Sequence, residues 1–388
     1  MLNKQEAVQM VKENILPFWE KMADAEQGGF YGEADFYGKI NKTADKGCIL
    51  NSRILWTFSA AYLFFNNDVY KALAERARDF LYTAFYDKEY GGLYWLVDNT
   101  GKTLKTRKQF YNIAFGIYAL SEHYLAAGDH SSLELAMSLF DVLEKNGFDP
   151  AHGGYIEACT REWQNIDDFR LSDKEINCPK SMNTNLHVLE AYTTLAAAGK
   201  NERVRKSLEN LLRITIDKIV NENRHFELFF DMSWKPLTKE VSWGHDIEGS
   251  WLMYEAALAA GNENLIAEVK KIAVEIAGVI HEKALDRKNG GLLSGINNEG
   301  KLITSKEWWP QAEAVAGFYN AFQLSGEQKY FDAADSIWEY IKNFFLDSVN
   351  GEWHNELDSG NKPDPKMLKA GFWKCPYHNA RACFEIIK

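Results

Sequence analysis

Asp87-Lys88-Glu89-Tyr90-Gly91-Gly92-Leu93 is one of five copies of a pattern: an Asp, three residues, a glycine turn and a large side chain. The others are Asp24…Gly28-Gly29-Phe30, Asp149…Gly153-Gly154-Tyr155, Asp286…Gly290-Gly291-Leu292 and Asp347…Gly351-Glu352-Trp353. Successive copies start 63, 62, 137 and 61 residues apart. The long interval accommodates a worn sixth copy at Asn221-Glu222-Asn223-Arg224-His225-Phe226. Six units therefore fill the chain, and a period of this kind states the architecture before any local reading does.

Between the turns the pattern is helical and of two kinds. Residues 327–346 place Phe331, Ala334, Trp338, Ile341 and Phe345 on one face, opposite acidic and basic residues, as a helix with one wet side does. Residues 110–127, with Ile113, Ala114, Phe115, Ile117, Tyr118, Ala119 and Leu120, leave almost no polar face, so that helix is buried all round. Each unit reads as an outer helix, a loop with the glycine turn, and an inner helix. Outer helices are expected near 4–22, 68–86, 131–146, 201–219, 263–284 and 327–346, and inner helices from 48, 110, 181, 243, 310 and 376. Pro310 and Pro376 suit a first helical position, where an N–H has no partner anyway. Aromatic and β-branched runs beside the turns predict short β-hairpins in the loops. Six hairpins could stack as an open solenoid. The second, wholly apolar helix layer favours closure into an all-α (α/α)6 barrel forming one domain over residues 1–388.

Composition narrows the function. Hydrophobic content of 46% suits a large core, and no linker-like stretch interrupts the repeats. A net charge of −11 offers no footprint for nucleic acid or an anionic membrane. The start, Asn3-Lys4-Gln5-Glu6, leads into no apolar stretch long enough for a signal peptide or a spanning helix. Five cysteines without a C-x-x-C pair fit a reducing cytoplasm. Twelve Trp and eighteen Tyr exceed what packing usually recruits, and flat rings suit the apolar C–H faces of sugars, although most of them are core material. The expected partner is a small sugar, with the protein itself a monomer or weak homodimer.

The polar residues that look misplaced lie where inner helices begin. Arg53 sits in Ile49-Leu50-Asn51-Ser52-Arg53-Ile54-Leu55-Trp56, and Tyr111 opens the second inner helix. Asn183 and His187 share a face one turn apart, as do His245 and Glu248. Trp308-Trp309-Pro310 precede Glu313, and Trp373-Lys374-Cys375-Pro376-Tyr377-His378 open the sixth inner helix. A closed ring brings all these starts to one mouth. An Arg in an apolar helix is often simply paired to an acid, and a lone buried His is often only satisfied core. Three histidines at equivalent depth favour function. As metal ligands they could be joined by Glu248, although no H-x-x-x-H or H-E-x-x-H spacing is present. His123, His130, His152, His225, His281 and His354 fall on outer helices or loops and receive no role.

These residues, in order, resemble the N-acylglucosamine 2-epimerase superfamily, most closely its cellobiose 2-epimerase branch. The matching runs are Ile15-Leu16-Pro17-Phe18-Trp19, Lys46 through Trp56, Gly244-His245-Asp246-Ile247-Glu248 and Trp373 through Asn379. Ala380 and Ser181 depart from the usual Gly and Thr without touching a proposed catalytic group. The resemblance implies an (α/α)6 barrel, no required cofactor, and inversion of C2 in a reducing sugar through ring opening and a cis-enediol; no metal is expected, because histidines would carry the protons and Arg53 the enediolate charge. It implies that His245 and His378 are the acid/base pair at C2, that His187 assists ring opening, and that Arg53 holds the oxyanion beside Tyr111 and Asn183. Glu248 and Glu313 resemble hydroxyl-binding or histidine-orienting carboxylates, and Trp308, Trp309 and Trp373 sugar-stacking platforms. The paired tryptophans favour β-1,4-linked disaccharides over monosaccharides. Alternatives remain: a monosaccharide 2-epimerase, an aldose–ketose isomerase, a glycoside hydrolase using Glu248 and Glu313, or a non-catalytic binding protein like the renin-binding relative.

Overall fold

The computed structural model describes residues 2–173 and 175–388. Six inner helices span Cys48–Phe65, Phe110–Ala127, Met182–Gly199, Trp243–Ala260, Trp308–Ser325 and Tyr377–Ile387. Each packs on the next, and the sixth packs on the first, so the inner ring is closed. An open solenoid is excluded, and the fold is an (α/α)6 barrel. The inner helices are apolar on all sides because they touch ring neighbours laterally and an outer helix behind. Cys48–Phe65 is even long and apolar enough to cross a bilayer by composition, but 78% of it is buried inside the barrel.

Outer helices cover Lys4–Gln9, Met10–Ile15 and Leu16–Lys21; Asp68–Phe80 and Leu81–Phe85; His130–Asn146; Glu202–Ile214 and Thr215–Ile219; Glu263–Lys283; and Gln328–Tyr340 and Ile341–Phe345. Four of them contain a wider π-helical turn. In the first, that turn precedes Pro17, whose missing N–H could not serve a regular turn. The fifth inner helix starts at Trp308, two residues earlier than the proline suggested, and Pro310 is its third residue. Pro376 stands just outside the sixth as its cap. Both prolines still sit where no intrahelical donor is needed.

The return from inner to outer helix takes only two residues. Asn66, Gly128, Lys200, Gly261 and Gly326 cap the inner helices in the left-handed conformation. Asn67, Asp129, Asn201 and Asn262 then cap the following outer helices through their side chains. Such tight connections force each pair antiparallel.

The opposite end carries the expected hairpins inside loops, as at Glu33–Ala34 with Ile40–Asn41 and Gly295–Ile296 with Leu302–Ile303, and is also stitched by β-pairs between units, which the sequence did not announce. The strand before each inner helix pairs antiparallel with a strand of the next unit: Lys46 with Val97, Lys108 with Cys159, Lys180 with Phe230, Val241 with Ile296 and Lys306 with Leu357. A bridge between Ala34 and Ala370 closes the sixth step.

The glycine turn is the anchor of this end. Asp24 Oδ1 accepts the N–H groups of Glu26 and Gln27, both at 3.0 Å, while Oδ2 accepts Lys46 Nζ at 2.7 Å. The same buried ion pair recurs as Lys108–Asp87, Lys180–Asp149, Lys306–Asp286 and Lys369–Asp347, at 2.7–2.9 Å. An aromatic ring of the next unit covers each ammonium: Phe80, Trp163, Trp234, Tyr340 and, across the closure, Phe36. The second glycine is required by that ring. At Gly154, φ is +71° and a Cβ would come within 2.2 Å of Trp234. In the worn fourth unit both partners are replaced together, by Asn221 and Val241, so no charge is left buried alone.

Candidate active site

The inner-helix starts converge on a cavity of about 380 Å³. It is lined by Arg53, Tyr111, Asn183, His187, His245, Glu248, Trp308, Trp309, Trp373 and His378, ten of the eleven residues singled out in the sequence. Larger grooves of about 580 and 600 Å³ lie on the outer helices and hold no histidine, so volume alone does not locate the chemistry.

All three histidines are oriented the same way. His187 Nδ1 bonds Glu190 Oε2 at 2.9 Å, His245 Nδ1 bonds Ser242 Oγ at 2.8 Å, and His378 Nδ1 bonds Glu313 Oε1 at 2.6 Å. With Nδ1 engaged, Nε2 is the ring nitrogen left for the cavity. Burial lowers the basicity of each, to about 3 for His245, where His187 adds repulsion. The rings are therefore neutral near pH 7 and able to accept a proton. The indole of Trp309 packs beside two of them, 4.7 Å from His245 and 5.6 Å from His378 by ring centroids.

Arg53 answers the question that its sequence context left open. It is buried, and among the described residues no carboxylate lies within ion-pair distance of it. Nη2 donates to the Tyr111 hydroxyl at 2.8 Å, and Nη1 to the Trp373 carbonyl at 3.4 Å. The guanidinium lies 4.3 Å from the centre of the Phe115 ring. Burial opposes its charge, but the surrounding Tyr111, Cys375 and Tyr377 more than offset this, and it stays protonated. A buried cation facing a cavity without a counter-ion is placed to receive an anion. Asn183 Oδ1 is likewise buried and without a partner.

The arginine that is paired to acids is Arg381, which the sequence reading passed over. It bonds Glu190, and its Nη2 lies 2.7 Å from both Glu248 Oε1 and Glu313 Oε1. Glu190 thus joins His187, Tyr377 and Arg381. Burial would raise its pKa, but Arg381 and His187 hold it down at about 2. Glu248 is pushed well up by burial and by Glu313, and Glu313 upward by burial. Glu313 does not line the cavity. It stands behind His378 as the partner of Nδ1, one of the two positions open to it from the sequence. Glu248, Glu313 and His378 also group as a metal ligand set would, with ligand atoms within 4.8 Å of one another. Arg381 already occupies that acidic centre with a fixed cation, so these residues do not fit an ion there.

The tryptophans divide. Trp373, 38% exposed, forms the rim, and Trp309 forms a wall with Nε1 bonded to Glu307 at 2.7 Å. Trp308 is buried, and Lys374 Nζ lies over its ring at 4.1 Å, so one of its faces is taken. Glu175, Glu307, Asn355, Glu356, Met367 and Lys374 complete the lining and were not anticipated. Ser242 and Glu190 were missed as well, although each lies three residues from its histidine: Glu190 on the same helix face as His187, and Ser242 in the extended residue just before the helix of His245.

The N-acylglucosamine 2-epimerase family matches residues 29–382. The chain is 43% identical over 387 residues to a cellobiose 2-epimerase of Bacteroides fragilis, covering 99% of this chain and 98% of that one. It is 40% identical over 381 residues to a cellobiose 2-epimerase of Ruminococcus albus, covering 98% and 97%. The structure superposes on the cellobiose 2-epimerase of Bacillus thermoamylovorans with a TM-score of 0.95 at 37% identity, covering 99% and 98%. A family 76 α-mannanase of Bacteroides thetaiotaomicron, 12% identical with a TM-score of 0.68, shares the fold alone, with coverage of 97% and 95%.

Proposed function

The chain belongs to the N-acylglucosamine 2-epimerase family, and from that premise we propose that it is a cellobiose 2-epimerase, inverting C2 of the reducing-end glucose in β-1,4-linked disaccharides. The observation that carries this reading is Arg53, a buried cation without a carboxylate partner, in the lining of a cavity that also holds three buried histidines.

A sugar exposes an acidic C2–H only when its ring is open and C1 is an aldehyde. Opening moves a proton between O1 and O5, the task assigned to His187. Abstraction at C2 by His245 or His378 produces a cis-enediolate with charge on O1. Arg53, with the Tyr111 hydroxyl, stabilises that charge; one such donor is typically worth ~3–4 kcal/mol of barrier. The other histidine, having taken a proton from solvent at Nε2, delivers it to the opposite face and is left neutral, while the abstracting histidine releases its proton to solvent. Both pack against Trp309, so a sugar ring beside that indole meets both. Delivery of the proton to C1 instead would give the ketose, a natural side reaction.

Hydrolysis fits the geometry less well. An inverting glycosidase needs carboxyls roughly 6.5–9.5 Å apart across the scissile bond. Glu248 and Glu313 instead share one guanidinium nitrogen, and Glu313 is withdrawn from the cavity. The five cysteines are free and buried, which supports a cytoplasmic setting.

Incubation with cellobiose in deuterated water tests the reading. Glucosyl-mannose carrying deuterium at C2 is expected, and His245→Asn and His378→Asn should each lower turnover by about 10²–10⁴-fold. The variant that retains the abstracting histidine should still exchange the C2 proton without forming epimer. Release of glucose, or no reaction, would overturn the proposal.

A further inference from the structure

The sixth glycine turn breaks the repeat. Where four other turns have a second glycine with φ between +61° and +76°, this one has Glu352, with φ +63°. A non-glycine residue in this region is strained, and such strain persists where surrounding structure demands it. Glu352 is fully buried and its carboxylate is saturated. Oε1 accepts Lys374 Nζ at 2.6 Å, Asn379 Nδ2 at 2.7 Å and the Trp353 N–H at 2.9 Å, and Oε2 accepts Trp19 Nε1 at 2.7 Å. Two of these partners connect it to the active site. Lys374 lines the cavity and covers the Trp308 ring, which meets the His378 ring edge-on at 5.4 Å. Asn379 directly follows His378. The turn also keeps its ordinary anchor, Lys369 on Asp347 at 2.7 Å, so Glu352 and Lys374 form a second ion pair beyond the one the repeat supplies.

We propose that Glu352 is a positioning residue: through Lys374 and Asn379 it fixes Trp308 and the start of the sixth inner helix, so that His378 meets C2 in register. The proposal rests on the epimerase reading for its assay and deepens it. Misplacement of a catalytic group by about 1 Å costs on the order of 10²-fold, so the effect should appear in kcat rather than in KM.

The test compares wild type, Glu352→Gln, Lys374→Met, the double variant and Lys374→Arg on cellobiose, with urea midpoints measured in parallel. Asp24→Asn, which breaks the equivalent anchor of the first turn, is the control for a merely structural loss. Glu352→Gln and Lys374→Met should each lower kcat about tenfold or more, with KM within about threefold. The double variant should be no worse than either single, since partners in one interaction are not additive. Lys374→Arg should recover much of the turnover lost in Lys374→Met. Asp24→Asn should lower the urea midpoint and keep kcat. The inference is overturned if both single variants stay within about twofold of wild-type kcat, if their losses multiply in the double, or if kcat falls only in proportion to the urea midpoint as in the control. The side-chain NMR signals of His378, identified by their loss in His378→Asn, give a readout that needs no substrate. They should shift in Glu352→Gln and not in Asp24→Asn. Should wild type leave cellobiose untouched, the functional reading fails while this measurement still decides the positioning claim, an unshifted signal refuting it.

Discussion

Arg381→Met would remove one cation from among three buried carboxylates while nearly preserving side-chain length. Glu190, Glu248 and Glu313 all bond this guanidinium, and all four side chains are at most 4% exposed. Breaking a buried ion pair by deleting one partner typically costs 3–5 kcal/mol. Glu190 gives a separate measure. Its pKa of about 2 against an ordinary value of 4.5 corresponds to about 3 kcal/mol at neutral pH, at 1.36 kcal/mol per unit. The sign follows from the direction of the shift. A depressed carboxylate adds stability that is present above its unfolded pKa and is lost as pH falls through its folded value. Without Arg381, all three carboxyls would instead be raised by burial, and stability would fall as pH rises above about 4. Arg381→Met should therefore lose about 3–5 kcal/mol at pH 8 and distinctly less at pH 5. Turnover should drop as well, because Glu190 and Glu313 would no longer hold His187 and His378. Urea unfolding followed by tryptophan fluorescence at the two pH values measures the difference. A loss below about 1 kcal/mol at pH 8, or an equal loss at both pH values, would refute the account of Arg381 as the counter-ion of this site.

Replacing Asp24 and Lys46 together by Asn and Val, the pair found in the fourth unit, should destabilise less than either single change; singles costing less than the double would show that the buried pair is not coupled. Because burial lowers the basicity of His187, His245 and His378, their neutral forms should persist on acidification, so the acid limb of kcat/KM should lie below the ordinary histidine value of about 6.5; a limb above 6.5 would contradict it. Trp309→Ala should reduce turnover on glucose and cellobiose alike, because the reacting ring lies beside that indole, whereas Trp373→Ala, at the rim, should hurt cellobiose more, as kinetics on both sugars would show; equal losses at 373 would remove the stacking argument for a disaccharide.

Much of this was legible because the architecture is periodic. The turns announced six units, and the apolar inner helices made His187, His245, His378 and Arg53 conspicuous as polar residues in the wrong place. Arg381 escaped because its meaning lies in carboxylates from three other inner helices, which no local spacing brings together. The lysine anchors escaped for a related reason: they follow their aspartates by 20 to 31 residues, across loops of unequal length. Helix starts at Trp308 and Tyr377 differed from the expected 310 and 376 because proline is tolerated throughout the first turn and at the cap, so it marks a neighbourhood and not a residue. Glu352 stood in plain view as the one departure from Gly-Gly among five strong copies, but only its buried partners show what it holds.

A linear chain can join six units through only five covalent links, so the step from the sixth unit to the first rests on the Ala34–Ala370 bridge and on side chains. Trp19 on Glu352, Trp338 on Glu6 and Asn14 on the Asp347 carbonyl hold it. Arg53 comes from the first unit and His378 from the last, so this join also divides the active site. During synthesis, every other piece of the pocket exists before the two halves of its chemistry meet. Heat or denaturant that parts the seam would separate them again while leaving most helices intact. Turnover is then a report on ring closure, and it should vanish ahead of helical signal whenever the barrel opens there.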